Sequence, residues 1–105
     1  MEKYKFIEPW YSIDEYSASN KTAMEQEVKN EIPKGHALYG EELHVIARRD
    51  DEDTVLYQIG DSVRVAIVHL TWSGKTESIG FPVTTILKDV GEFIETVMKQ
   101  DVENH

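Results

Sequence analysis

Met24, Val28 and Ile32 recur every four residues, with Glu25, Glu27, Lys29 and Glu31 between them. That spacing predicts an amphipathic helix over about 17–32. Ser17, Ser19 and Asn20 are candidate N-caps, since each side chain can accept a hydrogen bond from a freed helical amide. Pro33 and Gly35 then stop the helix. From Leu43 onward the pattern reads as strands. Leu43–Arg49 is the first, with Val45 and Ile46 at its centre, and the acidic run 50–53 turns the chain. Segment 55–59 is a second strand, Gly60-Asp61-Ser62 a second turn, and 63–72 a third strand, the longest and most apolar. Strands joined by short turns make an antiparallel meander. Segment 81–87 is a candidate fourth strand at an edge, with Pro82 confined to its start. Asp89 and Glu92 form a capping pair for a last helix. Its buried stripe is Val90, Phe93, Ile94, Val97 and Met98, and it frays near Asp101. The expected fold is α+β: an arm, a helix, a three- or four-stranded antiparallel meander and a second helix, with both helices on one face of the sheet.

The arm is segment 1–16, rich in aromatic residues: Tyr4, Phe6, Trp10, Tyr11 and Tyr16, interrupted by Pro9. So much aromatic surface is expected to pack on the domain as an irregular arm or short strand. At 105 residues, 1–105 fits a single domain with one core and a frayed tail at 102–105. No apolar run approaches the roughly 20 residues of a spanning helix. The first residues lack the basic, apolar and small-residue pattern of a signal peptide, so a cytoplasmic location is expected, with no membrane partner. The absence of cysteine removes disulfides, zinc thiolate sites and thiol nucleophiles. Twenty acids against 11 bases give a net charge of -9. Such a surface repels phosphate backbones, so no nucleic-acid partner is expected, and it attracts a basic protein.

Gly74-Lys75-Thr76 resembles the end of a phosphate-binding loop. The first Gly of that loop would fall at position 69, which is His69, and the following Ser78-Ile79-Gly80-Phe81-Pro82 does not open a helix. The segment reads as a turn. His36, His44, His69 and His105 lack metal-ligand spacing, and residues 50–53 lack the spacing of a calcium loop. No metal and no cofactor are expected.

Alternation along the third strand puts Val63, Val65, Ile67, His69 and Thr71 on one face and Arg64, Ala66, Val68, Leu70 and Trp72 on the other. Apolar residues on both faces place this strand inside the sheet. His69 fits either a satisfied structural imidazole or an acid–base or ligand-binding group. Trp72 fits either a core plug or the wall of a pocket. His36 lies in the loop between helix and sheet. Arg48 and Arg49 end the first strand and point to opposite faces, with Asp51 and Asp53 as local partners. His36, Arg48, Arg49, Asp51, Asp53, His69, Thr71 and Trp72 are therefore the candidate ligand-binding residues, conditional on their meeting in one place.

The pattern His36-x-Leu38-Tyr39-Gly40, Ala47-Arg48-Arg49-x-Asp51-x-Asp53, Val55-Leu56-Tyr57 and Val68-His69-Leu70-Thr71-Trp72-Ser73 resembles a family of small uncharacterised bacterial proteins. The resemblance covers about 27–93. This chain departs from the pattern at Thr54, where a second acid is common, and at Tyr57, where Phe is. Some members of the family carry a name invoking ADP-ribosylation or a crystallin. The resemblance implies bacterial origin and a shared fold, and supplies no catalytic residues. The expected function is a non-enzymatic interaction domain with an acidic surface that recognises a basic protein, as an immunity-type protein would. The alternative is a small enzyme or an anion- or small-ligand-binding protein, with a His/Arg site near the 68–72 strand end.

Overall fold

Ser17 begins the first helix: its hydroxyl accepts from the amide of Asn20 at 3.2 Å, the N-cap contact that frees the chain into α1 (Ala18–Glu31). The computed structural model describes residue 6 and residues 10–49, 52–78 and 81–100. Within these, β1 (Trp10–Ser12) and a 3-10 turn (Ile13–Glu15) precede α1. Then follow β2 (Leu43–Arg49), β3 (Thr54–Ile59), β4 (Val65–His69) and β5 (Thr84–Leu87). The last helix starts as α2 (Val90–Phe93) and continues as a π turn (Ile94–Met98). Asp89 caps it by accepting from the amide of Glu92 at 2.8 Å. The tail 102–105 lies outside the described residues.

The fold is α+β with one five-stranded antiparallel sheet in the order β1-β2-β3-β4-β5. It carries one strand more than the upper expectation, because Trp10–Ser12 pairs with Arg49–Ala47 of β2. The third and fourth expected strands are shorter than their apolar runs. β4 stops at His69, and β5 begins after Val83. β4 lies between β3 and β5, with Val65, Ala66 and Val68 fully buried.

The two helices do not share a face. Met24 and Val28 of α1, with Ile32 at its C-terminal cap, pack with Val45, Val55, Tyr57, Ile59, Ala66 and Val68. Phe93 and Met98 pack with Trp10, Ala47, Leu56, Val65 and Ile67 on the other side. Neighbouring residues of β3 and β4 thus feed opposite cores, as strand alternation requires. A register shift in β2 between Val45 and Ala47 sends these two residues to different cores, although their spacing alone would put them on one face. The amide of Val45 at this bulge donates to the Glu25 carboxylate of α1, 2.9 Å away.

Tyr57 fastens α1 to the sheet. Its buried hydroxyl donates to the carbonyl of Met24 at 2.8 Å. Burial holds the phenol proton far above the usual range, and the charges of Glu31, Glu25 and Glu27 add to this against Arg48. Tyr57→Phe is expected to cost about 1 kcal/mol, the net worth of one such bond, because the ring still fills its place. Urea unfolding of the two proteins checks this; a loss of several kcal/mol would show that the hydroxyl holds more than one contact.

Candidate functional site

The candidate residues fall into separate places. His36 is a structural imidazole. Its Nδ1 accepts from the amide of Leu38 at 3.0 Å, which leaves Nε2 protonated to donate to the carbonyl of Pro82 at 3.0 Å. The Thr84 hydroxyl lies 3.3 Å from the same nitrogen. Thr84 pairs with Val68, whose side chain belongs to the α1 core. His69, one residue on, points to the opposite face. Arg48 pairs with Val55 at the far end of β2, beside Asp53 at 3.9 Å and over the Tyr16 ring at 5.8 Å. Three strand spacings, about 14 Å, separate β2 from β5, where His36 sits. His36, Arg48 and His69 therefore do not line one cleft. Asp51 lies outside the described residues.

Arg49 and His69 do join one cluster, through two residues that were not among the site candidates. Arg49 approaches Glu52 at 3.6 Å. The Thr54 hydroxyl donates to Glu52 at 2.7 Å, so it accepts from Nδ1–H of His69, 3.0 Å away. Thr54 is buried and directly opposite His69 across β3 and β4. This fixes the tautomer: Nε2 of the exposed His69 carries the lone pair. The arrangement orients an imidazole. Thr54 is too enclosed to act as a nucleophile towards a substrate.

A second cluster was missed altogether. Glu27 and Glu31 stand at i and i+4 on the buried face of α1, and Glu31 is fully enclosed. Glu31 accepts from the amides of Thr71 at 2.9 Å and Trp72 at 2.9 Å. Glu27 accepts from the amide of Gly74 at 3.0 Å. The backbone of Glu31 also takes part, its carbonyl accepting from the amide of Glu77 at 2.9 Å. Burial pushes the Glu31 carboxyl up to about 7, and a hydrogen bond with Glu27 adds to this; the Thr71 and Trp72 amides pull the other way. Glu77 bridges the loop internally by accepting from the hydroxyls of Ser73 at 2.6 Å and Thr71 at 3.0 Å, which hold its carboxyl below the ordinary value.

Thr71 and Trp72 thus enter this clasp through their backbones. Trp72 is no strand residue. It sits at φ 55° and is 40% exposed. In the Gly74-Lys75-Thr76 turn the Gly74 amide is taken by the Glu27 carboxylate and the Lys75 amide donates to the Ser73 hydroxyl at 3.4 Å, so neither is free for a phosphate.

A concavity lies elsewhere. A groove of about 740 Å³ runs between α1 and segment 38–44. Val28, Ile32, Leu38 and Leu43 form its apolar floor. Glu25, Glu41 and Glu42 line it against a single Lys29, and Tyr39 stands exposed at its border. Glu41 also faces Arg64 at 3.7 Å. Among the described residues no cluster of three metal-ligating side chains occurs, and no helix is long and apolar enough to cross a membrane.

The chain matches no family model, no curated protein and no solved structure. The family resemblance of its motifs therefore remains an expectation from the sequence.

Proposed function

We propose that this protein is a non-enzymatic interaction domain that recognises a basic protein. The observation that carries the reading is the groove between α1 and 38–44, where three glutamates surround an apolar floor. A lysine or arginine side chain suits such a place: its aliphatic stem covers the floor while its charge meets the carboxylates. The exposed Tyr39 ring offers a cation–π contact at the border. The net charge of -9 adds long-range attraction for a basic partner and repulsion for nucleic acid. An immunity-type role, masking a basic toxin in the cytoplasm, is the concrete form of this proposal.

The second reading is a small-ligand or anion site at Arg49 and His69. It is favoured by the fixed tautomer of His69, whose Nε2 lone pair is presented at an exposed position.

Binding of an unstructured Lys/Arg-rich peptide, followed by fluorescence anisotropy, separates the two. On the first reading, Glu41→Lys with Glu42→Lys weakens binding by tenfold or more. The association rate of the parent also falls with added salt, as screening shortens the field to about 8 Å at physiological ionic strength. Binding that ignores both the charge reversal and the salt would rule out the groove.

A further inference from the structure

We infer that β5 pairs with the β5 of a second copy of this chain, antiparallel about a two-fold axis at Thr85, so that two five-stranded sheets join into one. This seam lies at a sheet edge and does not depend on the groove or on what binds there.

β5 ends the sheet, with β4 on its inner side. The amide of His69 donates to the carbonyl of Val83 at 3.0 Å. Antiparallel bonding alternates from residue to residue. The backbones of Val83, Thr85 and Leu87 therefore face β4, and those of Thr84 and Ile86 face outward. Among the described residues, no contact takes up the outward amides and carbonyls of Thr84 and Ile86. The outward groups on either side of them are already used. The Pro82 carbonyl accepts from His36 and from the Thr84 hydroxyl, and the Lys88 amide donates to Glu92 at 2.8 Å. The open edge is thus confined to Thr84 and Ile86.

This edge complements itself. A copy turned about an axis through Thr85 sets Thr84 opposite the partner's Ile86, and Ile86 opposite the partner's Thr84. Each outward amide then meets an outward carbonyl. The side chains agree with that register. Val83 and Leu87 lie on the α2 face, where Leu87 packs against the core. The same turn brings the exposed Val83 against the partner's Leu87. On the α1 face the exposed Ile86 meets the methyl group of the partner's Thr84. Phe81, Val83 and Ile86 all stand exposed within this one segment.

Charge selects the occupant. The chain is 30% charged with a net charge of -9, yet positions 78–87 hold no charged residue. Edge strands that stay single commonly carry a charge, a proline or a bulge. Here Pro82 and Lys88 bound the window, and nothing inside it guards against pairing. A second copy can approach along it without like charges meeting across the seam. A basic partner would find no carboxylate within it. Because the same patch is used on both copies, the assembly closes as a dimer. The window is short and buries less than the roughly 800 Å² per partner of a standard interface, so the dimer is weak, with a Kd on the order of 100 µM.

The test is sedimentation velocity of the full chain, tenfold below and tenfold above that Kd. The expected result is a shift from mostly monomer to mostly dimer. Thr85→Glu and Thr85→Lys each set like charges directly opposite one another on the axis, so each variant alone is expected to stay monomeric. Thr85 is exposed, so both variants keep the fold. Mixed in equal amounts, they set Glu opposite Lys and restore the dimer, which a merely damaged protein would not do. In the parent, the amides of Thr84 and Ile86 exchange more slowly with solvent as the dimer fills, while that of Ile67, already bonded within the sheet, does not change. A parent that remains monomeric at the higher concentration overturns the seam. So does a dimer indifferent to either charge at position 85, or a mixture of the two variants that stays monomeric.

Discussion

Trp10→Ala will destabilise the protein by about 3–5 kcal/mol in urea unfolding, while Trp72→Ala will cost less than about 1 kcal/mol. The two tryptophans differ in what surrounds them. Trp10 is 1% exposed and meets Phe93 edge-on, with ring centroids 4.8 Å apart and planes at 87°. Phe6 touches the same Phe93 ring at 6.1 Å. Removing the indole would leave a large void between β1 and α2, with Ala47 and Met98 among its neighbours, and too few side chains free to collapse into it. Trp72 is 40% exposed, and the contribution of this residue to the fold comes from its amide, which alanine keeps. Trp72→Ala unfolding several kcal/mol more easily than the parent would show that its ring is buried.

The two tryptophans also show where reading the sequence works. The four-residue recurrence of Met24, Val28 and Ile32 locates α1, because an apolar stripe is dictated by the helical period alone. The double-sided apolar run around Ile67 places β4 inside the sheet for the same kind of reason. Trp72 looked like its continuation because composition does not reveal where a ladder ends. The chain leaves the strand at Leu70, whose amide donates to the carbonyl of Asp53, and turns at a positive φ that sequence would assign to glycine. The split of Val45 and Ala47 between the two cores was hidden, because the β2 bulge shifts register without any Gly or Pro to announce it.

Glu27 and Glu31 could have been found. The face of a helix that carries Met24, Val28 and Ile32 also carries positions 27 and 31, at i+3 and i+7 from Met24. Two glutamates inside an apolar stripe are a signal that some polar group waits opposite. What sequence could not supply is the identity of that group, since backbone amides leave no mark in the residue pattern. The same limit applies to the relay at His69. Its partners Thr54 and Glu52 lie 15 and 17 positions away, and only the pairing of β3 with β4 brings them together.

Glu31→Ala is expected to cost about 2–3 kcal/mol at pH 5, and Glu31→Gln less than about 1. Alanine leaves the amides of Thr71 and Trp72 without their acceptor and opens a gap beneath the loop. Glutamine keeps one oxygen in the position where Oε2 receives Trp72 at 2.9 Å and Thr71 at 3.2 Å. Raising the pH changes the comparison. The folded-state value of Glu31 is raised from 4.5 to about 7, so the folded protein binds more protons than the unfolded chain between those limits. Stability from this group is greatest at or below pH 4.5 and declines until about pH 7, by at most about 3 kcal/mol at 1.36 kcal/mol per unit. Because the Gln variant has no proton to lose there, its stability lacks that decline. It should equal or exceed the parent by pH 8, although it is no better at pH 5. Urea unfolding at the two pH values measures both effects. A parent more stable at pH 8 than at pH 5, by a margin that Glu31→Gln abolishes, would mean that Glu31 is ionised at little cost in the fold and that the loop amides outweigh its burial.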